Sequence, residues 1–69
     1  MRASQVIAAE SPALVIGRRV LVGEVLRGRI DKAVQATEPG RWLLYVAPDR
    51  GPLAGWYYAE DCEVLDETR

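Results

Sequence analysis

Apolar residues recur along this chain in short runs separated by Gly and Pro, a pattern that predicts β-strands. Residues 13–16 and 18–22 are rich in β-branched side chains, so both segments are predicted to be extended. Residues 24–32 alternate between apolar and polar positions, which is typical of a strand with one covered face. We therefore expect Leu26 and Ile30 to point towards a core.

Glycine and proline mark the boundaries of the next elements. Gly28 lies inside the alternating strand and suggests a bulge or bend there. A turn is predicted at 38–41, because its Pro–Gly pair suits the second and third turn positions. The strand that follows, Trp42–Val46, is apolar on both faces. It is either central and covered on both sides, or half exposed as an interaction surface.

The last third of the chain carries the strongest fold signal. A turn-rich segment at 47–52 leads into an aromatic strand at 56–59. A short polar step at 59–61 and a brief apolar strand at 62–65 follow. With residues 13–22 taken as one strand interrupted at Gly17, and with the segments 24–32 and 42–46, five strands are predicted from about residue 14 onward.

The first residues form a separate small unit. Residues 3–10 tolerate a helix, and Pro12 ends it by pushing Ser11 towards an extended conformation. A helix of about two turns is not stable alone, so Val6 and Ile7 must pack on the rest of the chain or on a neighbouring subunit. We divide the chain into this arm, residues 1–12, and a β-domain with an acidic tail, residues 13–69.

Charge is unevenly distributed although the net charge is only −1. Residues 18–50 contain seven basic and four acidic side chains, whereas the segment from 60 onward contains five acidic ones and one Arg. Four arginines could contact phosphates in a nucleic-acid-binding barrel. These are Arg18, Arg19, Arg27 and Arg29. The sequence pI of 5.3 favours instead a solvated surface.

Candidate catalytic chemistry is sparse. The chain has no His, and Cys62 is its single cysteine, so we expect no enzyme activity, no cofactor, no metal site and no internal disulfide. Cys62 is interpreted as a small core residue. The lone cysteine, the absence of a long apolar stretch and the lack of a signal-peptide pattern favour a cytoplasmic protein that does not enter a membrane.

Several segments resemble SH3-like barrels of the small bacterial or Tudor-like kind. They are residues 17–20 entering the first strand, 28–30, 42–46, and the closing stretch 55–65. Gly55 and Trp56 match the start of the Gly-Trp-x-Pro-x-x-x-Val stretch of peptide-binding SH3 domains, with Tyr58 in place of the Pro. The resemblance implies an all-β fold, a five-stranded SH3-like barrel with a short N-terminal helix, without the Pro-rich ligand.

A fainter similarity is to the plasmid-borne, trimethoprim-insensitive dihydrofolate reductases, which are small SH3-like barrels acting as tetramers. The shared layout is a Gly-x-Arg-Val entry, a Gly-x-Ile second strand and a terminal strand with a Tyr. Their pore uses Val-Gln-Ile-Tyr; residues 54–57 here keep only Tyr57, and Gly55 replaces the Gln. A pore reductase is therefore the least favoured hypothesis. A compact protein of this kind fits an origin on a phage, plasmid or gene cassette.

Aromatic residues supply the predicted binding surface. Trp56, Tyr57 and Tyr58 are consecutive, so they cannot all face one core and at least one is expected to be exposed. Together with Asp49 and Arg50 of the 49–55 loop, they are predicted to bind a protein partner or a second copy of the chain. The sequence thus predicts a small binding or assembly module, and its apolar content makes a homo-oligomer plausible. Trp42 is assigned to the core.

Overall fold

One five-stranded antiparallel sheet forms most of the protein, accompanied by one short α-helix. The computed structural model describes residues 1–52 and 54–65. Leu53 in the predicted loop, and Asp66, Glu67 and Arg69 of the predicted tail, lie outside the described residues. The helix α1 spans Ala3–Ala9, and the strands are β1 (Arg19–Val22), β2 (Leu26–Gln35), β3 (Trp42–Pro48), β4 (Gly55–Tyr58) and β5 (Cys62–Val64). The predictions of a mainly β fold, five strands and a short N-terminal helix are confirmed.

The strand order is β4-β3-β2-β1-β5, which makes β2 the central strand. Its first half follows the predicted alternation, with Ile30 buried and Leu26 half-buried. A bulge between Ile30 and Lys32 then shifts the register. Because one extra residue reverses the alternation, Lys32 and Val34 lie on the outer face of the sheet.

Gly28 is regularly paired and does not carry the bulge that the sequence suggested there. It is paired with Val20 on one side and Pro48 on the other. A Cβ atom at this position would lie 2.5 Å from the carbonyl oxygen of Ala47. The glycine is therefore required by the close approach of β3, and the register shift occurs further along β2.

The segment 13–16 is a correction to the sequence-based prediction, because it is not a strand. Pro12–Val15 forms a 3-10 turn, and its N-terminus is capped by the Ser11 hydroxyl, which accepts a hydrogen bond from the Ala13 N–H at 3.2 Å. A Ser–Pro start is a helix-capping signal that outweighed the β-branched composition. Of this segment only Val15 is buried.

The core lies between the inner face of the sheet and α1. Val6 and Ile7 of the helix are buried, as required for so short a helix. The largest fully buried side chains are Val15, Val20, Ile30, Leu44, Val46 and Cys62. The predicted turn at 38–41 is confirmed, since the Arg41 N–H donates to the Glu38 carbonyl at 3.2 Å.

The two outer strands, β4 and β5, have different surroundings. The N-terminal residues run alongside β5: Arg2 is bridged to Glu63, and the Val64 N–H donates to the Met1 carbonyl at 2.8 Å. The Met1 ammonium also lies 2.6 Å from a Glu63 carboxylate oxygen. In the part of the chain that the structure describes, β4 is paired with β3 alone. The short 3-10 turn Ala59–Asp61 joins β4 to β5.

Candidate functional site

The outer face of β2, β3 and β4 carries a set of apolar and aromatic side chains that are at least partly exposed. We call it the aromatic face and define it as Val34, Leu43, Tyr45, Trp56 and Tyr58. The strand register places its members side by side: Tyr45 is opposite Trp56, and Leu43 lies between Tyr58 and Val34. These side chains belong to one surface because directly paired residues point to the same side of a sheet.

Trp56 is the most exposed aromatic residue of this face. Its side chain is 46% exposed, and its ring meets the Tyr45 ring edge-on, with centroids 5.2 Å apart and an interplanar angle of 65°. Aromatic pairs favour this geometry, so the contact holds the indole in one orientation. The exposed part of the Trp56 indole is therefore an apolar surface with one fixed orientation.

The ring of Tyr58, which is 37% exposed, lies against the guanidinium group of Arg41. The guanidinium carbon of Arg41 lies 3.8 Å from the centre of the Tyr58 ring, within the range of a cation–π interaction. Arg41 is also paired with Glu38 at 2.7 Å and with Glu60 at 2.6 Å. Hydrogen bonds to these carboxylates, first that of Glu38, raise the pKa of Arg41, so its positive charge is permanent.

The far side of the face carries one further cation. Lys32 follows the bulge in β2 and is paired with Tyr45, and its ammonium lies 6.0 Å from the centre of the Tyr45 ring. At the outer limit for a cation–π interaction, this contact is weaker than that of Arg41. The aromatic face therefore has a basic residue on each of two sides, Lys32 of β2 and Arg41, which directly precedes β3.

The three consecutive aromatics divide between the two sides of β4, as the alternation of a strand requires. Trp56 and Tyr58 are exposed, which confirms that the three are not all buried. Tyr57 is half-buried and packs against the core, so it is not part of the aromatic face. Trp42 packs against the same core, in agreement with its assignment from the sequence.

Asp49 and Arg50 belong to a different surface. Together with Val25, Leu26 and Arg27 they line a pocket of about 250 Å³ between the β1–β2 turn and the start of the 49–55 loop. No member of the aromatic face lines this pocket. The structure therefore separates two groups of residues that the sequence had placed in one ligand surface.

The four arginines proposed as anion contacts are not equivalent. Arg19 is paired with Asp49 at 2.5 Å, which neutralises it. Arg27 and Arg29 are exposed on the outer face of β2 and form no ion pair within residues 1–52 and 54–65. Arg18 is half-buried and lines a second pocket with Met1, Val6 and Val64.

Cys62 is fully buried in β5, and its thiol donates to the Tyr58 carbonyl at 3.5 Å. Burial, and to a smaller extent the charge of Asp61, raises the pKa of this thiol to about 11. A thiol with so high a pKa holds its proton at neutral pH and is a poor nucleophile. The residue therefore serves the core, as the sequence indicated.

Sequence reasoning missed three residues of this site and its border, namely Lys32, Val34 and Arg41; Leu43 and Tyr45 belong to the strand 42–46 that it offered as a half-exposed interaction surface. Lys32 and Val34 reach the outer face only because of the bulge. The consecutive polar residues Asp31 and Lys32 were the available signal, since they interrupt a strict alternation.

None of the helices in the described ranges is long and apolar enough to cross a membrane. Within these same ranges, no group of three or more His, Cys, Asp or Glu side chains could hold a metal ion. In comparisons with known proteins, no family model, no curated protein and no solved structure matches this chain.

Proposed function

We propose that this protein is a small, non-catalytic binding or assembly module that docks another protein surface on its aromatic face. The observation that carries the proposal is the exposure of Trp56 and Tyr58 on neighbouring positions of one sheet face. Tryptophan and tyrosine are the residues most enriched at the energetic centres of protein interfaces, because they bury a large area with few rotatable bonds.

The aromatic face is well suited to docking because its two most exposed rings are already held in place. Tyr45 supports Trp56 and Arg41 supports Tyr58. Binding a partner therefore costs less side-chain entropy than it would if these rings rotated freely. Lys32 adds a positive charge at one border of the face, whereas the charge of Arg41 is balanced by Glu38 and Glu60.

For the architecture, we propose an SH3-like barrel. The strand order and the 3-10 turn Ala59–Asp61 before the last strand support this assignment. A bulge allows a long strand to bend, and a bend of β2 at its register shift would bring the two outer strands towards the same side of the core, as such a barrel requires. The fold itself hosts many functions, so the docking role is argued from the aromatic face alone.

The test compares two serine variants of the full chain. Immobilised wild type, Trp56→Ser and Val25→Ser are exposed to lysate of the organism that makes the protein, and their self-association is measured in parallel by light scattering. Val25 is the matched control, since it is 91% exposed and lies outside the aromatic face. We expect Trp56→Ser to lose capture or self-association and Val25→Ser to retain it. Equal behaviour of the three proteins would refute the proposal.

A second candidate function is binding to single-stranded nucleic acid. The observation that favours it is the pair of exposed arginines on β2, Arg27 and Arg29, on the same outer side of the sheet as the aromatic rings. It predicts that a labelled oligonucleotide binds at low salt, that affinity falls steeply as salt rises, and that Arg27→Gln with Arg29→Gln abolishes binding. Salt-insensitive binding through Trp56 would decide against it.

The tetrameric pore reductase is not favoured. Tyr57, the one residue that matches the pore motif, packs against the core of its own chain.

A further inference from the structure

The pocket beside the β1–β2 turn is separate from the aromatic face and has a composition of its own. Its volume is about 250 Å³, and it is lined by Val25, Leu26, Arg27, Asp49 and Arg50. Pockets for drug-sized ligands measure roughly 300–1,000 Å³, so this one suits a smaller molecule. Because aliphatic and charged residues both line it, the pocket fits a ligand with an apolar part and a charged part.

The two segments that form this pocket are attached to the sheet. The Asp49 N–H donates to the Arg27 carbonyl at 2.9 Å and so joins the start of the 49–55 loop to β2. The Val25 N–H donates to the Val22 carbonyl at 3.4 Å within the β1–β2 turn. Arg19 of β1 holds the Asp49 carboxylate at 2.5 Å. The pocket therefore exists before a ligand binds, which lowers the entropy cost of binding.

The residues that line the pocket carry an excess of positive charge. Their one carboxylate, that of Asp49, is balanced by Arg19, which does not line the pocket. Glu24 precedes Val25 in the turn and does not line it either. Arg27 and Arg50 are exposed, and neither forms an ion pair within residues 1–52 and 54–65. An anion bound in the pocket would reduce the repulsion between these two like charges.

We propose that this pocket binds a small phosphate monoester. The phosphate lies between Arg27 and Arg50, and the organic group lies against Val25 and Leu26. A guanidinium donates paired hydrogen bonds to phosphate oxygens, so both arginines suit this ligand. A phosphate monoester carries about 1.5 to 2 negative charges at pH 7 and balances both arginines, whereas a carboxylate or a phosphodiester carries one.

The apolar part of the ligand is suggested by Val25. This side chain is 91% exposed, and a ligand that covers part of it removes apolar surface from water. The proposal concerns a surface other than the aromatic face, so it does not depend on the docking function.

The first experiment titrates the full chain with phenyl phosphate, inorganic phosphate and benzoate at low salt, and follows the backbone amide signals by NMR. We expect phenyl phosphate to bind with a dissociation constant on the order of 1 mM and to shift signals of residues 23–27 and 49–51. Inorganic phosphate lacks the ring and benzoate lacks the second charge, so each should bind at least about threefold more weakly. No saturation by phenyl phosphate below about 20 mM would overturn the proposal.

The second experiment repeats the phenyl phosphate titration with arginine variants. Arg27→Gln and Arg50→Gln should each weaken binding about tenfold, because each removes charge-assisted hydrogen bonds to the phosphate. Arg29→Gln is the matched control, since Arg29 is an exposed arginine of β2 that does not line the pocket. It should bind like wild type. Equal weakening in Arg29→Gln and Arg50→Gln would show a general attraction to the basic surface and would refute the pocket.

Two further variants locate the ring of the ligand. Val25→Ser should weaken the binding of phenyl phosphate and leave that of inorganic phosphate unchanged, because only the ring contacts this position. Trp56→Ser should bind phenyl phosphate like wild type. Loss of binding in Trp56→Ser would place the ring on the aromatic face and overturn the proposal.

A short single-stranded oligonucleotide without terminal phosphates distinguishes this site from nucleic-acid binding, because it carries phosphodiesters alone. We expect it to leave the signals of residues 49–51 unchanged at concentrations at which phenyl phosphate shifts them. Binding of the oligonucleotide through Arg27 and Arg29, without binding of phenyl phosphate, would assign these arginines to a nucleic-acid surface and refute the monoester site.

Discussion

Arg41 lies over the ring of Tyr58, with 3.8 Å between its guanidinium carbon and the ring centroid. The same guanidinium reaches Glu38 in the turn before β3 and Glu60 in the 3-10 turn after β4. One side chain thus joins two turns that are 22 residues apart (60 − 38) and holds an exposed ring between them.

Replacing Arg41 with Gln removes the positive charge from this cluster. We expect a lower thermal midpoint in low salt and a greater mobility of the Tyr58 ring, measured by thermal unfolding and by ring relaxation in NMR. The difference from wild type should shrink near 1 M NaCl, where the screening length is about 3 Å. Arg29→Gln is the control, since Arg29 is exposed and has no ion pair among the described residues. An equal loss in both variants would contradict the role of the cluster.

Gly28→Ala tests the close approach of β2 and β3. An alanine Cβ would lie 2.5 Å from the Ala47 carbonyl oxygen and 2.7 Å from a Val46 methyl group, so the strands must move apart. We expect a loss of about 1–3 kcal/mol in the free energy of unfolding, measured by urea titration. Gly55→Ala is the matched control, because its nearest neighbour atoms are 3.9 Å away and a side chain fits there. A Gly28 variant as stable as the control would be inconsistent with this geometry.

Leu43 and Leu44 are adjacent in β3 but face opposite sides of the sheet. Leu44 is fully buried, so Leu44→Ala should cost about 2–5 kcal/mol, enough to unfold a domain of this size in part. Leu43 lies on the aromatic face, and Leu43→Ala should cost about 1 kcal/mol or less. Urea unfolding of both variants measures the difference, and similar losses would mean that the side of the sheet is wrongly assigned.

Glu63 links stability to pH. Its hydrogen bond from the Met1 ammonium, and to a smaller extent the charges of that ammonium and of Arg2, hold its pKa below the ordinary value of 4.5. Its stabilising contribution is therefore complete above pH 4.5 and is lost as the pH falls through the lowered pKa. Wild type should exceed Glu63→Gln in thermal midpoint at pH 7, and the difference should shrink as the pH falls below 4.5 through the lowered pKa. A constant difference across this range would show that the carboxylate charge has no part in it.

The sequence pattern was sufficient for most of the fold because alternation and turn residues act locally. Leu26 and Ile30 were correctly assigned to the core from their spacing alone. The pattern failed at 13–16, where a capping Ser and a Pro outweighed β-branched composition and produced a 3-10 turn. At these positions the strand propensity of the β-branched side chains competed with the helix-starting tendency of Ser11 and Pro12. The hydrogen bond to the Ser11 hydroxyl favoured the 3-10 turn.

The site was harder to predict than the fold. The alternation of a strand shows that Trp56 and Tyr58 lie on the same side of β4. Whether that side is the outer one depends on the pairing with β3, in which residues 43–46 are all apolar. A strand without polar positions does not indicate which of its faces is covered. The cross-strand placement of Arg41 beside Glu60 likewise depends on tertiary register, which a single sequence does not encode locally.

The N-terminal residues alongside β5 have a consequence for the colloidal behaviour of the protein. A sheet edge without a neighbour can add strands from other copies and grow into a fibre, and within the described residues Met1 and Arg2 lie along the β5 edge. Displacing Met1 and Arg2 from Glu63 would uncover that edge and allow another strand to add there.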